Sequence, residues 1–147
     1  MTTIDPLDFM LTARWNDFPQ DVRTKAKLNL LDTLGIAVGG NRSKTSRIIR
    51  EHSAEEFGGS LPLVFDHRTA SASGVALAMG MMVDSLDGHD GFNPAKGHIG
   101  CPLISALIPI AHELDATGLA FMEAIAIGYE IGARTAMAQH GPCPDYH

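Results

Sequence analysis

Two cysteines in 147 residues are too few for a disulfide framework, and Cys101 and Cys143 are spaced for no zinc motif. Positive charge is also scarce: Lys plus Arg is 11 against 17 for Asp plus Glu, giving a formal net charge of -6. That balance argues against non-specific nucleic-acid binding. It also means that an anionic substrate has to be held by a local cluster of cations. No apolar run reaches the ~18 residues of a membrane span. The first ten residues carry Asp5, Pro6 and Asp8, with no basic segment leading into an apolar one. No signal peptide is expected, and the expected compartment is the cytoplasm. Internal repeats and low-complexity tracts are missing too. What is present, 45% hydrophobic and 19% charged residues, suits one folded domain with a real core.

The periodicity is helical almost throughout, so the expected fold is an all-α bundle with at most a short strand or hairpin. Residues 5–16 place Leu7, Met10, Leu11 and Trp15 on one face, behind Asp5 as cap and Pro6 at the first helical position. Residues 19–38 put Val22, Ala26, Leu30, Leu34 and Ala37 in one stripe, and Gly39-Gly40-Asn41 stops it. Ser43 or Thr45 caps a third helix running to about residue 57. Residues 61–65 read as a short strand, turned by Asp66-His67-Arg68. A Gly- and Ala-rich helix follows over 70–86, with Gly74 and Gly80 as points for close backbone approach and Met79, Met81 and Met82 as core filler. Residues 101–111 are nearly all apolar, with Pro102 in the first turn and Pro109 expected to kink the helix. His112 reads as a cation at its C-terminus. Thr117 caps a last helix over about 118–139, apolar on most sides, whose Glu130 and Arg134 suit an ion pair. Two such covered helices call for a partner chain or a continuation.

The chemistry concentrates between the two apolar helices. Asp87, His89, Asp90, Lys96 and His98 lie in one loop, interleaved with Gly88, Gly91, Gly97 and Gly100. These are the parts of a general acid-base centre. An imidazole exchanges protons near neutral pH, a carboxylate orients it, and a Lys offers fixed positive charge to a carboxylate or a developing enolate. Glycines let backbone N–H groups approach a ligand. Asp84 shares a helix face with Asp87, against the usual preference for cations at a helix C-terminus. Two other readings stand beside this one. Such a loop is often only a solvated connection. A metal centre with Asp87, His89, Asp90 and His98 as ligands is the other, although their spacing matches no known metal motif. Cys101, in apolar company, reads as inert, and Asp32, beside Leu31 in mid-helix, as half of an ion pair.

Several segments, in order, resemble the MmgE/PrpD family, which includes 2-methylcitrate dehydratase and cis-aconitate decarboxylase. Leu86-Asp87-Gly88-His89-Asp90 is similar to the family's Leu-Asp-Phe-Asp-Asp, and His98-Ile99-Gly100 stands where His-Pro-Ser would. Upstream, Lys27-Leu28-Asn29-Leu30-Leu31-Asp32-Thr33-Leu34 is similar to the family's first long helix. Downstream, Gly128-Tyr129-Glu130-Ile131 is similar to its Gly-Tyr-Glu-Val helix. The resemblance implies a single, truncated helical domain over 1–147, the N-terminal portion of the family's helical domain. It implies a lyase or isomerase that needs no cofactor and no metal. Such an enzyme moves a proton next to a carboxylate of a small di- or tricarboxylate, with dehydration, decarboxylation or epimerisation. Asp87 and His98 would be the central catalytic residues, with His89 and Asp90 beside them. Lys96, Gly91 and His147 would bind substrate. Where the family has a second Asp this chain has His89, and where it has Thr this chain has Gly91, so dehydratase, decarboxylase and epimerase chemistry all stay open. Family members continue into further helices and an α/β domain that adds basic and His residues to the cleft. The chain is therefore expected to act as a homo-oligomer or with a missing second part. The alternative is a catalytically silent helical fragment that acts through a partner chain.

Overall fold

Local side-chain chemistry sets the first boundary. In a computed structural model, which describes residues 5–140, helix α1 spans Pro6–Thr12. Asp5 caps it by accepting the Leu7 N–H at 2.8 Å. The helix is shorter than the 5–16 expected, and Trp15 falls in a separate 3-10 turn, Trp15–Asp17. Asp17 sets up that turn, because its carboxylate accepts the Arg14 N–H at 2.8 Å and gives the backbone an alternative to helix.

Helix α2, Gln20–Gly40, begins after Pro19 as the sequence indicates. Its covered line keeps Ala26, Ala37 and the half-buried Leu30 of the expected stripe and departs from the rest. Ala26, Thr33, Ala37 and Gly40 are buried, whereas Val22 and Leu34 stand exposed together with Leu28, Leu31 and Val38. The reason is a close crossing. A Cβ on Gly40 would lie 2.0 Å from the Met82 carbonyl oxygen, so α2 meets the following layer through its small residues. Helix α3, Lys44–Glu56, is capped by Ser43, whose Oγ accepts the Ser46 N–H at 3.0 Å. The Ser46 hydroxyl donates to the Gly40 carbonyl at 2.7 Å and ties α3 to the end of α2.

The expected strand over 61–65 shrinks to β1, Leu61–Pro62, paired antiparallel with β2, Thr69–Ala70, so Ala70 belongs to the hairpin and not to the next helix. Asp66 closes the turn. It accepts the Arg68 N–H and two bonds from the Arg68 guanidinium, at 3.0 and 2.8 Å. The guanidinium bonds chiefly hold the Asp66 carboxyl well below the usual carboxylate range. A carboxyl depressed on folding adds stability above its unfolded value, ~3.9, and loses that contribution as pH falls toward the folded value. Between about pH 4 and 2, thermal melts should therefore show a shallower loss of stability for Asp66→Asn than for the parent chain. Equal slopes would remove the pair from the acid response.

Helix α4, Ala72–Asp84, is central and packs on α2, α3 and on α5, Gly100–Glu113. Met79, Met82, Val83, Ile104 and Ile125 are the fully buried heart of the larger core. Leu61, Leu63, Ala70, Val75 and Ala78 form a smaller one under the hairpin. Gly74 does admit close packing, since a Cβ there would meet the Phe57 Cβ at 2.6 Å. Gly80 does not, because its nearest neighbour would be Ser105 at 3.9 Å. The chain passes through Pro109 inside α5, and His112 lies in the last turn of that helix, as read. Helix α6, Gly118–His140, is less enclosed than expected, with only Ile125 and Ala126 buried. It lies along α5 and α2 and reaches the N-terminal turn, where Glu123 accepts the Trp15 N–H at 2.6 Å. Glu130 and Arg134 form the intrahelical ion pair, while Asp32 is exposed and enters no ion pair among the described residues. The fold is mostly α-helical with one two-stranded sheet, and among the described residues no helix is long and apolar enough to cross a membrane.

Candidate active site

The loop between α4 and α5 is built to bring its two ends together. Asp87 leaves α4 in the left-handed region, φ 46°, with its N–H donating to the Asp84 carbonyl at 2.9 Å. This conformation is uncommon for a residue with a side chain and tolerated best by Asp, Asn and Gly. Asn93–Ala95 forms a 3-10 turn, and Lys96, φ 49°, reverses the chain after it. Phe92 then pairs with Gly97, its N–H donating to the Gly97 carbonyl at 3.0 Å. The end of α6 supports this turn, with His140 Nε2 2.7 Å from the Ala95 carbonyl. The result is that His98 returns beside Asp87 and Asp90.

His98 Nδ1 is hydrogen-bonded to the Asp90 carbonyl oxygen. A carbonyl only accepts, so Nδ1 carries the proton and Nε2 keeps its lone pair in the neutral ring. Nε2 lies 3.6 Å from Asp87 Oδ1, a side chain that is largely exposed. His89 sits beneath them. Its ring is edge-on to His98 with centroids 4.0 Å apart, its side chain is 1% exposed, and its Nε2 is 3.6 Å from Asp84 Oδ1. The structure thus brings together Asp87, His89 and His98, with Asp84 behind them.

Asp90 joins differently. Its backbone orients His98, while its carboxylate turns the other way and accepts the Gly100 N–H, at the start of α5, at 3.3 Å. The same carboxylate faces Tyr129 of α6. A Cβ on Gly100 would fall 2.1 Å from the Tyr129 hydroxyl and 2.5 Å from Asp90 Oδ1, which is why only glycine fits there. Asp90 Oδ1 and the Tyr129 hydroxyl are both buried without a completed hydrogen bond. Burial first, then the Asp90 charge, hold the Tyr129 phenol well above its ordinary value. Asp90, Gly91, Phe92, Asn29, Lys25 and Tyr129 line a cleft of about 730 Å³ between α1, α2 and α6. His98 is not among the residues that line this cleft; its ring comes within 4.0 Å of where a Cβ on Gly91 would lie. Lys96 is exposed on the loop and does not line the cleft. His147 lies outside the described residues. Lys25, Asn29 and Tyr129 were not singled out for the site from the sequence, and the one available signal was a Tyr within an otherwise apolar helix.

A model of one family, the MmgE/PrpD N-terminal domain, matches residues 7–143. The chain belongs to the MmgE/PrpD family. The match covers nearly the whole chain and includes the loop and both helices that carry it. No curated protein and no solved structure matched.

Cys101, the second residue of α5, is buried and directs Sγ to the Gly80 carbonyl at 3.4 Å. Burial, aided by the carboxylates of Asp84 and Asp90, pushes its thiol up to about 11. In a Cys143→Ser background, alkylation of Cys101 should be slow at pH 8 and accelerate until pH approaches about 11. Rapid labelling at pH 8 would show that the thiol is neither buried nor raised.

Proposed function

We propose that this MmgE/PrpD chain carries the proton-transfer half of a cofactor-free lyase or isomerase acting on small di- or tricarboxylates. The observation that carries the reading is the His98 geometry: Nδ1 is fixed on a backbone carbonyl, and Nε2 faces the Asp87 carboxylate across 3.6 Å, on the loop whose Asp90 and Gly91 line the cleft. A base so oriented can take a proton from the carbon next to a substrate carboxylate through Nε2. Asp87 places negative charge beside the imidazolium that forms, and the same group can return the proton as an acid. Loss of water and inversion at the carbon share this proton removal, whereas loss of carbon dioxide leaves the electron pair on carbon by C–C cleavage and needs the imidazolium to deliver a proton there, so the site supports all three without naming one. His89 backs the His98 ring, and Asp90 sets its tautomer. Gly91 gives backbone access, and Lys25 in the cleft wall supplies a cation for the substrate's carboxylates in a chain of net charge -6, while Lys96 stands on the loop outside the cleft. The reading includes a second contributor of positive charge, from another copy or a further domain.

The test is exchange in heavy water. The chain is incubated with cis-aconitate, 2-methylcitrate or iminodisuccinate, and deuterium entry next to the carboxylates is followed by proton NMR. Exchange or turnover with one of the acids is expected. No exchange with any of them would leave the silent-fragment reading in place. Exchange that survives His98→Ala would move the chemistry elsewhere.

A further inference from the structure

His89 presents a problem that the proton-transfer reading does not resolve. Its imidazole is almost wholly buried, and neither ring nitrogen has a hydrogen bond. Buried polar groups are normally satisfied, and here Nε2 has only the Asp84 carboxylate at 3.6 Å, too far for a hydrogen bond, which calls for a partner between the two. Around it, Asp84, His89 and Cys101 each offer one donor atom, and the three donors lie within 4.8 Å of one another.

We propose that Asp84, His89 and Cys101 bind a single borderline divalent cation, zinc being the best match. The donor set is one carboxylate, one imidazole and one thiol, the mixture of oxygen, nitrogen and sulfur that zinc accepts. The spacing fits as well. Zinc bonds of ~2.0–2.1 Å at tetrahedral angles put nitrogen and oxygen ligands ~3.3–3.4 Å apart. His89 Nε2 and Asp84 Oδ1 are 3.6 Å apart already. The helices supply the frame, since Asp84 ends α4 and Cys101 lies in the first turn of α5, with His89 on the loop between them. Asp84 is the exposed member, which gives the ion an entry side and leaves a fourth position for water. Binding deprotonates the thiol, and that proton goes to solvent with no change of oxidation state. The carboxylates that oppose a thiolate at Cys101 become favourable once a dication sits among them.

A second trio, Asp87, His89 and His98, also lies within 4.8 Å. It has no sulfur, and its two outer members are the exposed pair assigned to proton transfer. The thiol-bearing set is therefore favoured, and the inference makes no use of that pair.

Cobalt(II) distinguishes the two, because thiolate ligation gives a sulfur-to-cobalt charge-transfer band that nitrogen and oxygen ligands do not. Added to the purified chain in the Cys143→Ser background, cobalt should give this band at one equivalent, and zinc should bleach it. Cys101→Ser and Asp84→Asn should each lose the band or weaken binding at least tenfold. Asp87→Asn and His98→Ala should keep it. Circular dichroism checks folding, and if Cys101→Ser misfolds, the exposed Asp84→Asn decides. Cobalt bound without the band, a band lost in Asp87→Asn or His98→Ala but kept in Asp84→Asn, or no cobalt bound at all would overturn the site.

Discussion

His98→Ala should lower turnover of the acid that exchanges in heavy water by about 10²–10⁴-fold, the usual contribution of a positioned acid or base. The loss should appear in kcat and in kcat/KM alike, because the proton moves only in the transition state. Stability should fall by about 1 kcal/mol, the usual worth of the one hydrogen bond lost to the Asp90 carbonyl. Asp87→Asn should also keep the fold, as Asn tolerates the left-handed backbone, and should lower kcat by removing the charge next to Nε2. Stopped-flow or NMR rates with both variants, beside denaturation curves, check this. A rise in KM with kcat unchanged would make His98 a binding group and not a base.

Gly40→Ala should destabilise the chain by about 1–3 kcal/mol, although alanine is the better helix former. The added methyl would sit 2.0 Å from the carbonyl oxygen of Met82, in the middle of the main core, and a backbone atom cannot swing aside as a side-chain tip would. Gly35→Ala, five residues earlier on the same helix, should do the opposite. Nothing lies within 4 Å of its Cβ, so a gain of about 0.5–1 kcal/mol is expected. Urea titrations of the pair measure both signs, and the melting temperature should move about 2–4 °C per kcal/mol. Two changes of the same sign would mean that α2 and α4 do not cross closely at Gly40.

These two glycines show where a sequence reading stops. Helix α2 was legible as a helix from its spacing and from the glycines at its end. Its buried line was legible in part: Ala26, Ala37 and the half-buried Leu30 face inward as read, while Val22 and Leu34 do not, because the close crossing at Gly40 favours small residues such as Thr33. The caps at Asp5 and Ser43 were readable because a side-chain oxygen bonds a backbone N–H only a few residues away. The split after Thr12 was not, since the Asp17 bond to Arg14 N–H competes with a good helical pattern. At the site, the gathering of Asp87 and His98 could be anticipated from family resemblance and residue type. The division of labour within Asp90 could not. Which way a carboxylate turns depends on Gly100 and Tyr129, the latter 39 positions away in sequence, and no local spacing encodes that.

The left-handed backbone at position 87 makes that position pass two independent sieves. A saturation library there would divide cleanly. Asparagine and glycine suit the bend but bring no acid. Glutamate brings the acid, but its longer chain on a β-carbon suits the bend less well. Aspartate alone is expected to pass both, even though its side chain faces open water.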